Sequence, residues 1–320
     1  MTERNDVIGV SVPRDLPAGE VVAFARRAED LGFGELWVVE DLGYRGGLVQ
    51  AATVLAVTTR IRVGVGLLPA AARNAAFAAM EIAALAQLHP GRLDITVGHG
   101  MPHWMRSVGA WPASPLTLLG EYITVLKGLL AGEEVRHTGR YVTVDGVRLD
   151  ASALPGTVPE VLAGVRGPKS LAVSGAVADG TLLAEPVTPA YARWALARIS
   201  ADRPHRLVAY NVAAVHPDPA VALAAVRPAL APVAEPDWRP HIAPLPFHDE
   251  LLALRARSAG PEEFAQALPD PWVRQLAVTG TPEQARATLA GLFEAGVTSA
   301  VLTPAGPDPL KALDSLAAVL

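Results

Sequence analysis

The chain has 320 residues, of which 51% are hydrophobic and 18% charged, and its net charge at pH 7 is −5. This length and apolar content allow a large buried core. The Lys and Arg residues are scattered and form no basic stripe that could bind a nucleic-acid backbone, so we expect no nucleic-acid partner. The absence of Cys excludes disulfides, thiolate nucleophiles and iron–sulfur clusters, so redox chemistry would require a bound organic cofactor.

The sequence also lacks the patterns of export and membrane insertion. Residues 1–6 are polar and do not resemble the apolar core of a signal peptide. No charge-free apolar run approaches the roughly 18 residues that a membrane-spanning helix needs. We therefore expect a cytoplasmic protein with no membrane partner.

Short β-rich runs alternate with longer amphipathic runs along the chain, which predicts βα units around a parallel sheet that is covered on both faces. The predicted strands are 7–12, 35–40, 61–68, 92–98, 160–164, 180–184, 207–215 and 298–303. The predicted helices are 18–31, 48–59, 74–88, 117–131, 168–178, 189–200, 220–231 and 310–319.

Eight such units predict an α/β fold, a single (β/α)8 TIM barrel that forms one domain over residues 1–320. A doubly wound open sheet is the main rival. Gly98-His99-Gly100 is followed by His103 where the dinucleotide fingerprint requires Gly, which argues against that sheet.

Two stretches exceed the repeat and predict insertions after strands 4 and 7. The first spans 132–159, where Asp145-Gly146 between alternating runs predicts a hairpin turn. The second spans 232–278, with further helices expected near 250–257 and 281–294. Long insertions at the functional face of a barrel commonly form lids or substrate walls.

Barrel enzymes place their sites at the carboxyl ends of the strands. Glu40 and Asp41 follow the second strand. One interpretation of this acidic pair is proton transfer. The alternative is a structural role, in which the pair caps the next helix or pairs with Arg45. Gly64 and Gly66 interrupt the third strand, which indicates either an ordinary bulge or close approach of the backbone to a ligand.

The segment Gly98-His99-Gly100 ends the fourth strand and opens an apolar loop. The glycines would let the backbone approach a cofactor, and His99 titrates near neutral pH, although a structural role for this histidine stays open. The loop offers an apolar wall for a substrate, formed by Met101, Trp104, Met105 and Trp111. His99 and His103 have the spacing of metal ligands, but no carboxylate lies beside them, so we predict no metal site.

The loop from Gly164 to Ser170 joins the fifth strand to a helix. Pro168 separates Gly167 from Lys169, so the loop is not a Walker sequence. Its glycines, Arg166 and the free amides of a helix N-terminus predict an anion site, with solvated Arg166 and Lys169 as the alternative.

These motifs, together with Ala178-Asp179-Gly180 and Thr279-Gly280-Thr281-Pro282-Glu283, stand in the order and spacing of the bacterial luciferase-like monooxygenase superfamily. The sequence resembles the branch of that superfamily that uses the deazaflavin coenzyme F420. The resemblance implies a homodimer, a non-proline cis peptide at Gly66-Leu67 and cofactor phosphate contacts from the Gly164–Ser170 loop. The cofactor contacts that it implies are Glu40, Gly64, Gly66, Leu67, Gly98, His99, Gly100, Gly164, Arg166, Gly167, Pro168, Lys169 and Ser170.

The resemblance predicts an F420-dependent oxidoreductase that transfers a hydride between the deazaflavin and a small organic substrate, with Glu40, Asp41 and His99 managing protons. Asp41 stands where the family usually has histidine, which argues against a sugar-phosphate dehydrogenase. An FMN-dependent two-component monooxygenase of the same fold and a flavin-binding protein without turnover remain open. A metal-dependent barrel hydrolase ranks last, because only His99 and Asp41 are suitable strand-end ligands.

Overall fold

A computed structural model describes residues 6–320. The prediction that residues 1–6 are not part of a signal peptide therefore lies mostly outside the described residues. The strands are β1 (Val7–Ser11), β2 (Glu35–Val38), β3 (Arg62–Pro69), β4 (Leu93–Gly98), β5 (Val135–Thr138), β6 (Thr143–Val147), β7 (Val161–Gly164), β8 (Gly180–Leu183), β9 (Arg206–Val215), β10 (Val278–Gly280) and β11 (Ser299–Pro304).

The helices alternate with the barrel strands, and most begin at proline, whose fixed φ suits the first helical turn. They are α1 (Val21–Leu31), α2 (Gly47–Val57), α3 (Ala75–Leu88), α4 (Pro102–Ser107), α5 (Pro115–Leu130), α6 (Pro168–Val177), α7 (Pro189–Ile199), α8 (Pro219–Val226), α9 (Arg239–Ile242), α10 (His248–Arg257), α11 (Pro261–Ala267), α12 (Asp270–Leu276), α13 (Pro282–Glu294) and α14 (Pro309–Leu316). Short 3-10 helices lie at Ala18–Glu20, Ala151–Ala153, Arg227–Leu230, Pro236–Trp238 and Ala317–Val319.

The main sheet is a closed parallel barrel. Its strand order is β10-β9-β11-β1-β2-β3-β4-β7-β8, and pairing of β8 with β9 closes the ring. The short strand β10 pairs only with the carboxyl end of β9. The predicted (β/α)8 TIM barrel is confirmed, with its eight strands at the predicted positions.

The amino end of the barrel carries a charge cluster centred on Arg206, with Glu35 and Asp94 buried and Glu160 at the surface. Its guanidinium pairs with Glu35, with Asp94 at 2.8 Å and with Glu160 at 3.0 Å. Above this cluster lies an apolar layer inside the barrel, formed by Trp37, Leu162, Leu182, Val208, Tyr210 and Val301. The carboxyl ends of the strands are therefore the open end of the barrel.

The first insertion forms the antiparallel hairpin β5–β6, but the predicted turn at Asp145-Gly146 is wrong. The chain turns earlier, where the Gly139 amide donates to the Val142 carbonyl at 2.9 Å. Asp145 and Gly146 lie within β6, where the register shifts, and Gly146 adopts φ +66°. An Asp-Gly pair satisfies a bulge as well as a turn, because both need one residue in the left-handed region.

The second insertion packs α9 to α12 around an apolar core of its own. That core includes Phe264 and Leu251 and extends to Val212 on β9 and Val226 on α8. The predicted helices near 250–257 and 281–294 are confirmed as α10 and α13.

One loop prediction is wrong, since Pro102–Ser107 forms the short helix α4. Pro102 stands at the first helical position, where a missing amide costs nothing. No helix among residues 6–320 is both long and apolar enough to cross a membrane.

Candidate functional site

The peptide Gly66-Leu67 lies at the centre of the barrel mouth, and its bond is cis, as the resemblance implied. The Leu67 side chain lies over β4 and β7. A Cβ atom at Gly98 would stand 2.6 Å from Leu67 Cδ2, and one at Gly164 would stand 2.5 Å from the same atom. Glycine is therefore required at both strand ends, and Gly66 and Leu67 remain partly exposed as a floor to the mouth.

The inner face of this floor rests on the barrel interior. A Cβ atom at Gly66 would stand 2.5 Å from Tyr210 Oη and 2.8 Å from Leu182 Cδ1. Tyr210 Oη is buried and has no hydrogen-bond partner among residues 6–320. Gly64 lies deeper, where a Cβ atom would stand 2.2 Å from the Trp37 ring. The structure thus places Gly66 at the mouth and Gly64 in the core beneath it.

His99 connects the floor to the start of α6. Its Nε2 lies 3.1 Å from Ser170 Oγ, and the ring also donates to the Pro115 carbonyl. Burial lowers the pKa of His99 and Arg166 acts in the same direction, while the Pro115 contact opposes them. The imidazole is therefore neutral at pH 7.

A largely apolar pocket of about 380 Å³ lies beside His99. It is lined by His99, Trp111, Pro115, Leu116, Gly167, Pro168, Lys169 and Ser170. The structure thus brings His99 and Trp111, from the segment after the fourth barrel strand, together with the start of α6, which the sequence placed in a separate motif.

The other predicted wall residues are dispersed. Met105 is buried beneath Gly100, and Trp104 makes an edge contact with His103 at 5.4 Å between ring centroids. Met101, Trp104 and Met105 do not line the pocket beside His99. Trp111 does, and the guanidinium of Arg106 lies 5.2 Å from its ring centroid.

Glu40 and Asp41 are both engaged by arginines that the sequence analysis did not identify. Glu40 forms two contacts with Arg73, and its Oε2 accepts the Gly47 amide at 2.8 Å at the start of α2. Asp41 pairs with Arg14 at 3.0 Å. Helix capping by Glu40 is thus observed.

The suggested pairing of this acidic pair with Arg45 is wrong. The guanidinium of Arg45 instead donates to the Leu16 and Pro13 carbonyls, at 2.7 and 3.3 Å, and to Gln50.

The amino end of α6 has features of an anion site. Its N-cap residue, Gly167, provides no side-chain cap, so the amides of the first turn are uncapped. Arg166 lies beside it, 3.2 Å from the Asp237 carbonyl and 5.0 Å from the Trp238 ring centroid. Among the described residues no carboxylate lies within ion-pair distance of Arg166, whereas Lys169 is exposed.

Glu185 is a further acid of the mouth, to which the sequence reasoning assigned no role. It stands two residues after the end of β8 and precedes a cis proline, Pro186. Burial raises the pKa of its carboxyl group, and Asp41 adds to that effect, while its own amide, Arg166 and Arg14 oppose it. Its place at a strand end was the available sequence signal. In the part of the chain that the structure covers, no group of three His, Asp or Glu residues could hold a metal ion.

Comparisons with known proteins identify the family of the chain. A family model described as luciferase-like monooxygenase matches residues 5–299. The chain is 29% identical over 316 residues to a 5,10-methylenetetrahydromethanopterin reductase of Methanolobus tindarius, an alignment that covers 94% of this chain and 95% of that protein.

Solved structures share the fold over nearly the whole chain. The coenzyme F420-dependent tetrahydromethanopterin reductase of Methanopyrus kandleri superposes with a TM-score of 0.83 at 22% identity, covering 98% of this chain and 97% of that one. An F420-dependent secondary alcohol dehydrogenase in complex with an F420–acetone adduct superposes with a TM-score of 0.75 at 20% identity, covering 99% and 98%.

Proposed function

The chain belongs to the luciferase-like monooxygenase family, and we propose that it is an oxidoreductase that binds coenzyme F420 at the barrel mouth and exchanges a hydride with a small organic substrate. The observation that carries the proposal is the partly exposed floor at Gly66-Leu67, for which glycines at the ends of β4 and β7 leave room beneath the Leu67 side chain. The match to a reductase over nearly its whole length and the likeness to F420-dependent enzymes support this choice of cofactor.

The residues of the mouth fit a ligand that has a ring system at one end and an anionic group at the other. Backbone at Gly66, Leu67 and Gly100 is partly exposed and offers a surface for a ring to approach closely, whereas Gly98 is buried beneath Leu67. The uncapped first turn of α6 and the unpaired guanidinium of Arg166 offer positive charge for a phosphate.

We propose that the ring contacts Gly66, Leu67 and His99, and that residues 164–170 hold the phosphate end. F420 supplies two-electron hydride chemistry when it is bound. The protein orients the reactants and excludes water, because hydride transfer requires the donor and acceptor carbons at near contact.

His99 is a polar contact in this proposal, because its neutral ring shares a hydrogen bond with Ser170 and donates to Pro115. Glu40 is paired with Arg73 and Asp41 with Arg14. We therefore propose that these two acids shape and polarise the rim of the mouth.

The relative from Methanolobus tindarius suggests the first substrate class to test. That protein's name specifies a methylene group carried by a reduced pterin. We propose a substrate of this kind, in which a carbon bonded to nitrogen accepts the hydride.

We also propose a homodimer. Several large apolar side chains lie exposed on α2, on α3 and on the loop before α2, and we call them the α2–α3 patch. Its members are Leu42, Tyr44, Val49, Phe77 and Met80, each 49–74% exposed. Large exposed apolar side chains on neighbouring elements favour a protein interface.

Equilibrium titration of the cofactor-free protein with F420 and, separately, with FMN tests the proposed function. We expect micromolar or tighter binding of F420, followed by ring fluorescence, and much weaker binding of FMN. The reverse preference would replace the proposal with an FMN-dependent monooxygenase, and binding of neither would refute it.

A further inference from the structure

We propose that Glu185 is the acid and base of the reaction, giving a proton to the substrate during reduction and taking it back during oxidation. This inference rests on the proposed function, since it assigns the proton that must accompany the hydride. Three features of Glu185 support this role: its fixed backbone, its carboxylate without a cation partner and the charged groups around it.

The backbone around Glu185 is fixed by side chains from two other parts of the barrel. Trp238 Nε1 donates to the Glu185 carbonyl at 3.1 Å, and His241 Nδ1 lies 3.2 Å from the Pro186 carbonyl. Asn211 on β9 both accepts from the Val187 amide, at 2.9 Å, and donates to the Val187 carbonyl, at 3.2 Å. Because His241 and Asn211 are buried, this frame presents Glu185 in one place.

Glu185 differs from the other acids of the mouth in its contacts. Glu40 is bound by Arg73 and the Gly47 amide, and Asp41 by Arg14. Within the described chain, the Glu185 carboxylate has no salt bridge, and its one hydrogen bond is to its own amide. A carboxyl group that is not committed to a cation can change its protonation state without breaking the fold.

The charged and titratable groups that face Glu185 come from each neighbouring element. Arg14 follows β1, Asp41 follows β2, Arg166 follows β7 and Tyr210 lies on β9. The net effect of burial and these charges is a pKa above the ordinary value for glutamic acid. Glu185 therefore keeps its proton closer to neutral pH than a solvated glutamate does, as an acid for a reaction near pH 7 requires.

The proton balance of the reduction is then complete. The substrate carbon gains a hydride from the reduced cofactor, and the electron pair of its bond to nitrogen or oxygen moves to that heteroatom. The heteroatom takes the proton of the Glu185 carboxyl group, which becomes a carboxylate and is protonated again from solvent. Oxidation runs the same transfers in reverse.

Glu185→Gln tests the proposal, because glutamine keeps the size and polarity of the side chain but cannot supply a proton. With reduced F420 and 5,10-methylenetetrahydromethanopterin as probes, we expect kcat to fall about 100-fold or more. We expect the loss of wild-type activity at high pH to be absent in the variant, and the Kd for F420 to stay within about twofold. Glu294→Gln, on the exposed face of α13, is the matched control.

A second measurement needs neither cofactor nor substrate. Because the pKa of Glu185 is raised in the folded state, its ionisation destabilises the fold as pH rises above the ordinary range for glutamate. Glu185→Gln should therefore gain stability relative to the wild type at pH 8, and the gain should vanish near pH 4. Glu294→Gln should show no such trend in urea unfolding.

The outcomes separate this inference from the proposed function. A wild-type protein that does not bind F420 contradicts the proposed function. A wild-type protein that binds F420 and turns over, with a Glu185→Gln variant of equal kcat and unchanged pH profile, overturns the role of Glu185 alone. If the probe substrate is not turned over, a stability difference that does not change with pH overturns the inference, and the predicted trend supports it.

Discussion

Arg73 and Glu40 form a two-point ion pair at the rim of the barrel, with Nη1 2.9 Å from Oε1 and Nη2 3.1 Å from Oε2. Glu40 follows β2 and Arg73 lies between β3 and α3, so the pair ties together two neighbouring loops of the mouth. Glu40 also caps α2 through Gly47. One carboxylate thus organises three elements around the proposed cofactor site.

Replacing Arg73 with Met should leave Glu40 without a cation in a site where its side chain is 14% exposed. We expect the free energy of unfolding to fall by about 1–3 kcal/mol, less than for a fully buried pair because solvent reaches Arg73. Urea unfolding measures the change. In the double variant Arg73→Met/Glu40→Gln the loss should be smaller than the sum of the single losses, and strict additivity would show that the pair is not coupled.

Substituting Gly66 with Ala should disturb both the floor of the mouth and the barrel interior. The new methyl group would stand 2.5 Å from Tyr210 Oη and 2.8 Å from Leu182 Cδ1, so we expect a loss of about 1–3 kcal/mol in stability. Adding Tyr210→Phe removes the closer atom and should recover part of the loss in urea unfolding. Gly19→Ala, which meets no atom within 4 Å, is the control. If adding Tyr210→Phe recovers no stability, the Tyr210 hydroxyl is not the group that the new methyl group disturbs.

The sequence predicts the barrel because each strand and helix carries a local signal. Apolar β-branched runs mark the strands, and proline or Asn74 marks helix starts. The two wrong predictions of secondary structure come from short motifs that fit more than one structure. Asp145-Gly146 fits a bulge as well as a turn, and Pro102 begins a helix as well as interrupting one.

The pairing of side chains across the mouth is less predictable. Arg73 reaches Glu40 and Arg14 reaches Asp41 only after the barrel closes and sets the register of its strands. Trp238 and His241 come from the second insertion, whose path over the ends of β7 and β8 has no signature in the sequence. The motifs therefore predict which end of the barrel carries the proposed site, and tertiary contacts decide which of its charged groups are paired.

Arg166 should contribute to the affinity for the phosphate of F420, because it lies beside the start of α6, is half-buried and has no carboxylate partner among residues 6–320. We expect Arg166→Met to raise the Kd for F420 about 10–100-fold, the equivalent of one charge-assisted hydrogen bond. Its effect on a deazaflavin that lacks the phosphate should be small. Exposed Lys169→Met is the comparison and should change the Kd only a few-fold. Equal effects on both ligands would remove Arg166 from the phosphate site.

The α2–α3 patch should form the interface of the proposed homodimer. We expect Phe77→Glu combined with Met80→Glu to yield a monomer in light scattering, because two charges would be buried without partners at the interface. Val221→Glu, at an apolar residue on α8 that is 48% exposed, should leave the assembly unchanged. A wild-type protein that is monomeric at micromolar concentration would contradict the proposed dimer.

His241 should make the fold sensitive to acid. It is fully buried beside Tyr191, with 4.5 Å between the ring centroids, and its Nε2 has no partner within the described chain. Burial, reinforced by Arg166, lowers its pKa to about 3, against the opposing contact with the Pro186 carbonyl.

The folded state therefore binds a proton at His241 less readily than the unfolded state does, so stability falls as pH drops below about 6.5 and continues to fall towards pH 3. At pH 4.5 this group alone should cost about 2–3 kcal/mol. His241→Phe keeps an aromatic ring against Tyr191 but loses the hydrogen bond to Pro186, so it should be less stable than the wild type by about 1 kcal/mol at pH 7.5. Because phenylalanine does not titrate, the variant should lose less stability on acidification and equal or exceed the wild type at pH 4.5. Urea unfolding at the two pH values measures this crossing, and parallel losses in both proteins would show that His241 does not set the acid sensitivity of the fold.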